Sequence, residues 1–208
     1  MARIQPVDLG IDATDVDQAM RVQLGVGGII AHRPEIAAGF GAVTDAINNH
    51  GTLSRRLIEL IRLRIAFHNQ CRSCMAIRYD EAVQDGVTEE LVCSLERPAD
   101  ADDLTDAERA ALRFADLFAT NHLAIDDAVY DDLRQYFAEG ELVEIGLNCA
   151  IDVGIGRPSA VARVPRRSED GDRVEHRRVR RRDALHLLTA SYGTISGSAV
   201  PHGVIRSS

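Results

Sequence analysis

The sequence predicts an all-α fold, an antiparallel array of six to eight helices. Apolar residues recur with the spacing of helix faces along most of the chain, and no stretch alternates convincingly as a strand does. The segments between the periodic stretches are short, which favours helices that pack in antiparallel order. With 208 residues, of which 45% are hydrophobic, the chain is long enough for one domain with a real core.

The first predicted helices precede a pair of cysteines. Pro34 suits the first turn of a helix, and Gly51 suits the position just past its end. A second helix begins near Leu53 and ends at residues 68–70. Apolar residues surround this helix, so we expect it to be buried on most sides. Four arginines are expected to emerge from it, namely Arg55, Arg56, Arg62 and Arg64.

The remaining helices are predicted from caps and apolar faces. A left-handed glycine suits a helix stop, and an acidic first turn suits the helix dipole. The predicted elements are a helix from Cys71 and Cys74 to Gly86, a short helix capped by Thr88, a helix opened by a capping box of Thr105 and Glu108, a helix that begins at Asp126 and Asp127, and an apolar helix over residues 141–155.

Charge divides the chain into two parts. Residues 1–162 hold 14 Arg and 27 acidic residues, a net charge of −13, and we assign them to one helical domain. Residues 163–208 hold 10 Arg and 5 acidic residues, a net charge of +5, with few apolar residues over 165–182. A segment of that composition cannot build a core, so residues 163–208 are expected to form a basic, disordered tail.

Composition also excludes several classes of function. The acidic domain would repel a phosphate backbone, and the basic tail lacks interleaved aromatic residues, so no nucleic-acid partner is expected. No apolar run approaches the length of about 20 residues that a membrane span needs. The first residues lack the features of a secretory signal, which predicts a cytoplasmic protein. The four cysteines are then better interpreted as thiols, redox centres or metal ligands than as structural disulfides.

Cys71-Arg72-Ser73-Cys74 is the most informative motif. A CxxC sequence at a helix start places two sulfurs within bridging reach, and the helix dipole favours the thiolate. A structural zinc site is one alternative, but it needs about four ligands and the sequence offers no second CxxC. Two buried apolar cysteines are the other alternative. Cys93 and Cys149 lie on apolar helix faces and are expected to remain reduced and inert.

The segment around this motif, ELIRLRIAFHNQCRSCMAIRY over residues 59–79, resembles the core motif of the carboxymuconolactone decarboxylase family, in its alkyl hydroperoxidase D-like branch. Glu59, Asn69 and the two cysteines match that motif, and NCAIDVGIGR resembles the closing helix of the family. The resemblance covers about residues 30–160. It implies an all-α fold and a homo-oligomer, a trimer or hexamer.

The resemblance also implies a set of site residues. Cys74 would be the sulfur that peroxide attacks, Cys71 the resolving cysteine and Glu59 a member of the proton relay. Relatives often carry His at the positions of Ser73 and Arg78. Arg78 is expected one turn beyond Cys74 on the same helix face, where it can stabilise the thiolate by charge, although guanidinium cannot shuttle protons.

Two further residues are candidates for supporting roles. His68 could supply a proton to the dithiol, although a polar residue at a helix end is more often a capping or solvated group. Arg157, at the end of the GIGR sequence, is interpreted as an interhelical or subunit contact.

The leading hypothesis is a thiol-dependent peroxidase that reduces hydroperoxides through a Cys71–Cys74 dithiol and disulfide cycle. Its partners would be a hydroperoxide and a cellular dithiol or redox protein, with no cofactor and no metal. A lactone decarboxylase, with Arg78 or Arg157 as a carboxylate clamp, is an alternative. A non-catalytic helical oligomer with a redox-sensing dithiol is another.

Overall fold

The computed structural model describes residues 2–10, 18–162 and 177–179, and these residues form an all-α fold. Within the described ranges there are nine α-helices, five of them at least 13 residues long. They are α1 (Gln18–Ile30), α2 (Pro34–His50), α3 (Arg55–His68), α4 (Arg72–Ala76), α5 (Asp80–Gln84), α6 (Glu89–Ser94), α7 (Asp106–Thr120), α8 (Asp127–Leu133) and α9 (Glu139–Ala162). The predicted all-α class is confirmed, but the described residues form nine helices where six to eight are predicted, and α1 is one that the sequence did not predict.

Helix α3 is the centre of the molecule because it packs against both α7 and α9. Its apolar residues serve two cores on opposite sides. Ile58, Ile61 and Ile65 belong to a core shared with α7, α8 and α9. Leu60 and Leu63 belong to a second core shared with α5 and α6. The all-round apolar character of this helix follows from its position between the two cores.

The predicted helix starts are confirmed by their capping hydrogen bonds. Ser54, Thr88 and Asp126 each accept a hydrogen bond from a backbone N–H in the first turn of the following helix. Thr105 and Glu108 form the complete capping box at the start of α7. These caps fix where each helix begins, and hence which face its side chains present to the core.

The arginines of α3 do not emerge into solvent as predicted. Arg62 is only 7% exposed, and Arg55, Arg56 and Arg64 are partly buried. Each side chain instead donates hydrogen bonds to protein acceptors, which compensates the cost of removing its charge from water. The amphipathic pattern of the helix is therefore a poor guide to its arginines.

The helix predicted from Cys71 and Cys74 to Gly86 is wrong as a single element. Helix α4 ends at Ala76, a short strand β1 (Ile77–Tyr79) follows, and α5 begins at Asp80. Gly86 does end the segment in a left-handed conformation, with φ 88°. A strand of three residues is too short to show alternation, so the sequence pattern could not reveal it.

Strand β1 pairs in parallel with β2 (Arg177–Val179), and Arg78 lies opposite Arg178. Strand β2 lies within the segment 163–208, which is expected from its composition to be disordered. Apart from Arg177–Val179, that expectation falls on residues outside the described part of the chain. Within the described ranges, none of the helices combines the length and the apolar character that crossing a membrane requires.

Candidate active site

Cys71 and Cys74 are joined by a disulfide where α3 gives way to α4, and their Cα atoms are 5.2 Å apart. That separation lies in the usual range for disulfides. The predicted ability of the two sulfurs to bridge is therefore confirmed. Cys71 is the N-cap residue of α4, so the bridge spans the first turn of this helix.

A left-handed turn at the end of α3 positions Cys71. Gln70 has φ 50°, the Cys71 N–H donates to the Ala66 carbonyl at 3.1 Å, and the Gln70 N–H donates to the Phe67 carbonyl at 3.1 Å. This pair of bonds is a Schellman motif, which usually has glycine at the left-handed position. The turn holds the Cys71 backbone directly against the end of the most buried helix.

Cys71 and Cys74 differ in solvent exposure. Cys71 is 0% exposed, whereas Cys74 is partly exposed. Cys71 Sγ also accepts a hydrogen bond from the Cys74 N–H at 3.4 Å, and Ser73 Oγ lies 3.7 Å from it. A molecule arriving from solvent therefore meets Cys74 before Cys71.

Glu59 is buried beneath this turn and pairs with Arg62. Arg62 Nε and Nη2 each donate to a Glu59 oxygen at 2.7 Å, and Glu59 is 1% exposed. The same guanidinium donates to the carbonyl of Cys74 at 2.7 Å and to that of Ile77 at 2.9 Å. It also lies over the ring of Tyr79, 5.1 Å from the centroid. Glu59 is thus connected to the dithiol through Arg62.

Electrostatics keep Arg62 charged. Burial by itself would lower the pKa of Arg62, but the charge of Glu59 and its hydrogen bonds raise that pKa above its ordinary value. The charges of Tyr79 and Asp152 act in the same direction. Arg62 is therefore a fixed positive charge behind Cys74 and cannot act as a proton shuttle.

Arg78 does not lie one helical turn beyond Cys74, because it belongs to β1. Its guanidinium donates to Glu89 at 2.9 and 3.0 Å and to the carbonyls of Met75 and Ile77. The side chain is 3% exposed. These contacts tie the end of α4 and β1 to α6, and the predicted geometry of a guanidinium on the helix face of Cys74 is wrong.

His68 faces α7. Its Nε2 lies 2.7 Å from Asp116 Oδ1, and Arg64 donates to the same carboxylate. A cavity of about 510 Å³ beside Arg64 and Asp116 has neither cysteine in its lining. The structure therefore groups His68 with Asp116, in keeping with an ordinary polar contact at a helix end.

Asn69 contacts the GIGR sequence of α9. Asn69 Nδ2 donates to the Asp152 carbonyl at 3.0 Å, and Arg157 Nε donates to Asn69 Oδ1 at 3.2 Å. A Cβ on Gly156 would overlap the Asn69 amide. The interpretation of Arg157 as an interhelical contact is confirmed, since it also donates to the carbonyl of Ala119.

Cys93 and Cys149 are both free thiols, but only Cys149 is buried. Burial, followed by the charge of Asp152, raises the pKa of Cys149 well above its ordinary value. Cys93 is exposed, so its predicted place on the apolar face of its helix is wrong. Among the described residues, no group of three or more His, Cys, Asp and Glu side chains is placed to hold a metal ion.

The structure thus joins Cys71 to Cys74 and connects Glu59 to the Cys74 backbone through Arg62, a residue that the sequence analysis did not single out. One signal was present in the sequence. Arg62 follows Glu59 by three residues, a spacing that places two side chains on the same helix face. A buried acid on an apolar helix requires a partner, and Arg62 is the basic residue at the right offset.

Comparison with known proteins agrees with this fold. A protein from Agrobacterium tumefaciens, of unknown function and a candidate antioxidant defence protein AhpD, superposes with a TM-score of 0.59 at 24% identity. The match covers 67% of this chain and 96% of that protein. The debrominase Bmp8 superposes with a TM-score of 0.61 at 19% identity, over 91% of this chain and 97% of Bmp8. Its C82A variant with 2,3,4-tribromopyrrole gives a TM-score of 0.62.

Sequence comparisons cover a shorter region. Uncharacterized proteins from two strains of Mycobacterium tuberculosis are 37% identical to this chain over 112 residues. The match covers 52% of this chain and 38% of the length of those relatives. Residues 34–117, which include the dithiol, Glu59 and Arg62, match the model of the carboxymuconolactone decarboxylase family. The match to the family model is therefore confined to the part of the chain that carries the dithiol, and the fold of the described residues is similar to that of the Agrobacterium protein and of Bmp8.

Proposed function

We propose that this chain is a thiol-dependent peroxidase that reduces hydroperoxides at Cys74 and resolves the product through Cys71. The observation that carries the proposal is the Cys71–Cys74 disulfide, which joins a fully buried cysteine to a partly exposed one. A disulfide between two cysteines that differ in solvent exposure is suited to a cycle in which the exposed cysteine reacts with the substrate and the buried cysteine then forms the disulfide. The antioxidant role suggested for the Agrobacterium protein of this fold is consistent with that cycle.

The proposed cycle has three steps, namely oxidation of Cys74, formation of the disulfide with Cys71 and reduction of that disulfide. The Cys74 thiolate attacks the terminal oxygen of the hydroperoxide, the O–O bond breaks, and Cys74 sulfenic acid and an alkoxide form. The alkoxide takes a proton and leaves as an alcohol. The Cys71 thiol then displaces water from the sulfenic acid to form the disulfide, and an external dithiol reduces this disulfide while becoming a disulfide itself.

In this cycle Glu59 acts indirectly, through its ion pair with Arg62. The family resemblance implies that Glu59 belongs to a proton relay, but both of its oxygens accept hydrogen bonds from Arg62. Protonation of Glu59 would cancel the negative charge that compensates the buried Arg62 guanidinium, which is costly for a buried pair. We therefore propose that water at the partly exposed Cys74 protonates the alkoxide, and that Glu59 acts by holding Arg62. We propose no proton-transfer role for Arg78, which binds Glu89.

The test is consumption of cumene hydroperoxide with dithiothreitol as reductant, followed by sulfenic acid trapping with dimedone. We expect turnover in the wild type, none in Cys74→Ser, and a trapped Cys74 sulfenic acid after one equivalent of peroxide in Cys71→Ser. Cys93→Ser is the matched control, because Cys93 is a free, exposed thiol outside the site. Its turnover should equal that of the wild type.

The same preparation can separate the alternatives. If peroxide is not consumed, release of carbon dioxide from 4-carboxymuconolactone would identify a lyase. Release of bromide from tribromopyrrole would identify a dehalogenase. The lyase alternative would use Arg78 or Arg157 as a carboxylate clamp, yet both already bind protein acceptors. Failure of the wild type in all three assays would leave the sensing role of the dithiol as the surviving hypothesis.

A homo-oligomer, a trimer or hexamer, is part of the proposal. Val143 and Leu147 lie one turn apart on α9 and are 62% and 46% exposed, and Ile36 and Val43 on α2 are 59% and 48% exposed. Large apolar side chains in such numbers on neighbouring helices are typical of a protein interface. Light scattering after size exclusion should give a multiple of 22.7 kDa, and Leu147→Glu should reduce the mass.

A further inference from the structure

We propose that Arg62 is a positioning residue of the dithiol, because its guanidinium ties the backbone of Cys74 to the buried carboxylate of Glu59. This inference rests on the proposed dithiol cycle and adds a residue to it. Arg62 is 7% exposed and bridges three elements, since it extends from α3 to the Cys74 carbonyl in α4 and the Ile77 carbonyl in β1. It does not touch the sulfurs, so its effect is exerted through the backbone.

The need for such an anchor follows from the length of α4. A helix of five residues cannot satisfy its own last carbonyls, because each helix leaves about four of them without an intrahelical donor. Arg62 supplies donors to Cys74 and Ile77, and Arg78 supplies donors to Met75 and Ile77. Two buried guanidinium groups therefore hold the carbonyl end of the helix that carries Cys74.

The two cysteines are attached to the same helix in different ways. Cys71 is held through its own backbone N–H, which donates to Ala66 of α3. Cys74 is held through the side chain of Arg62, also of α3. Neither attachment involves a sulfur, so breaking the S–S bond removes neither of them directly. The closeness of the two thiols in the reduced protein then depends on Arg62, which raises the effective concentration of one thiol at the other.

Arginine is suited to this role and lysine is not. The Arg62 contacts need four N–H groups in fixed directions, two toward Glu59 and one toward each carbonyl. Guanidinium has five N–H donors in a planar fork, whereas ammonium has three around one nitrogen. Arg62→Lys therefore keeps the buried positive charge next to Glu59 but loses at least one of the two carbonyl contacts.

The test compares Arg62→Lys with Arg64→Lys. Arg64 lies on the same helix, is partly buried, and likewise binds a carboxylate and a backbone carbonyl, but its partners are Asp116 and Leu95, away from the dithiol. The redox equilibrium of Cys71 and Cys74 is measured by thiol trapping in a series of dithiothreitol buffers. We expect Arg62→Lys to shift it toward the dithiol by about tenfold, equivalent to about 1.4 kcal/mol, and Arg64→Lys to leave it unchanged.

The free energy of unfolding in urea is measured for both variants. A loss of stability that both variants share can then be distinguished from a shift of the redox equilibrium that occurs only in Arg62→Lys. A second variant, Glu59→Gln, keeps Arg62 but weakens its attachment, and we expect a shift in the same direction. A redox equilibrium within about twofold of the wild type in both folded site variants would overturn the proposal. The equilibrium requires no peroxide, so absence of peroxidase activity would overturn the proposed function and leave this result standing.

Discussion

Arg78 donates two hydrogen bonds to the carboxylate of Glu89, 2.9 and 3.0 Å long, from a strand that interrupts the expected helix. Arg78→Ala should lower the free energy of unfolding by about 1–3 kcal/mol, because the Met75 carbonyl loses its side-chain donor and the Ile77 carbonyl keeps only the bond from Arg62. The pH dependence of Cys74 alkylation in the reduced protein should stay the same. Urea denaturation and iodoacetamide rates against pH measure the two effects.

Glu89→Gln is the matched control for that variant. The Glu89 side chain is 48% exposed, so its loss of charge should cost less stability than the removal of Arg78. Arg78→His should not accelerate peroxide turnover, since the side chain at this position is directed to Glu89. A rise in the pH midpoint of Cys74 alkylation in Arg78→Ala would instead place the guanidinium at the thiol.

Gly156→Ala should destabilise the protein by about 1–3 kcal/mol, because the new methyl group would overlap the Asn69 amide. Gly154→Ala is its control on the same helix. A Cβ at Gly154 meets no atom within 4 Å, so alanine there should raise stability by roughly 0.5–1 kcal/mol through helix propensity. Thermal unfolding measures the stability of both variants. Equal changes in stability would contradict the close approach of α9 to Asn69.

Glu108 should make stability depend on pH. Burial raises the pKa of Glu108, but hydrogen bonds from Arg56 and the Thr105 backbone, with the charge of Arg56, lower it overall. The resulting stabilisation is fully present above the unfolded pKa of about 4.3 and is lost as pH falls through the lower folded value. At pH 7, Glu108→Gln should be less stable than the wild type by about 1 kcal/mol, and this difference should vanish in acid.

Urea denaturation at several pH values measures that difference. Asp106→Asn, which alters an exposed ion pair with Arg109 at the same helix start, should have a smaller effect at neutral pH. A gap between wild type and Glu108→Gln that persists unchanged below pH 3 would show that the charge of Glu108 is not its source.

The two free cysteines should differ sharply in reactivity. In the disulfide form, Cys93 should react with iodoacetamide at once, since it is exposed. Cys149 should react only after unfolding, because burial and the nearby Asp152 charge raise its pKa and exclude the reagent. Mass spectrometry should find one label per native chain and none in Cys93→Ser. A label on native Cys149 would indicate that the core between α3 and α9 opens readily.

The sequence predicted the helix starts well because their signals are local. Thr88, Thr105 and Asp126 each act within three residues of themselves, so short-range chemistry suffices to find them. The CxxC motif is local in the same sense, and its bridge was predicted from spacing alone.

The features that the sequence did not reveal depend on distant partners. Strand β1 exists through pairing with residues about 100 positions further along the chain. The burial of Arg62 depends on carbonyls that become available only because β1 interrupts the helix. A helix that continued past Ala76 would have used some of those carbonyls itself, so the wrong helix length and the missed role of Arg62 have the same cause.

The contact between Asn69 and Gly156 has a consequence for evolution. Because no side chain fits at position 156 while an amide occupies position 69, the two positions cannot change independently. Among homologous sequences, chains with alanine at the place of Gly156 should carry a smaller residue at the place of Asn69. The residue just ahead of the dithiol and a glycine 87 positions later would then form a covarying pair, detectable in an alignment without any measurement of activity.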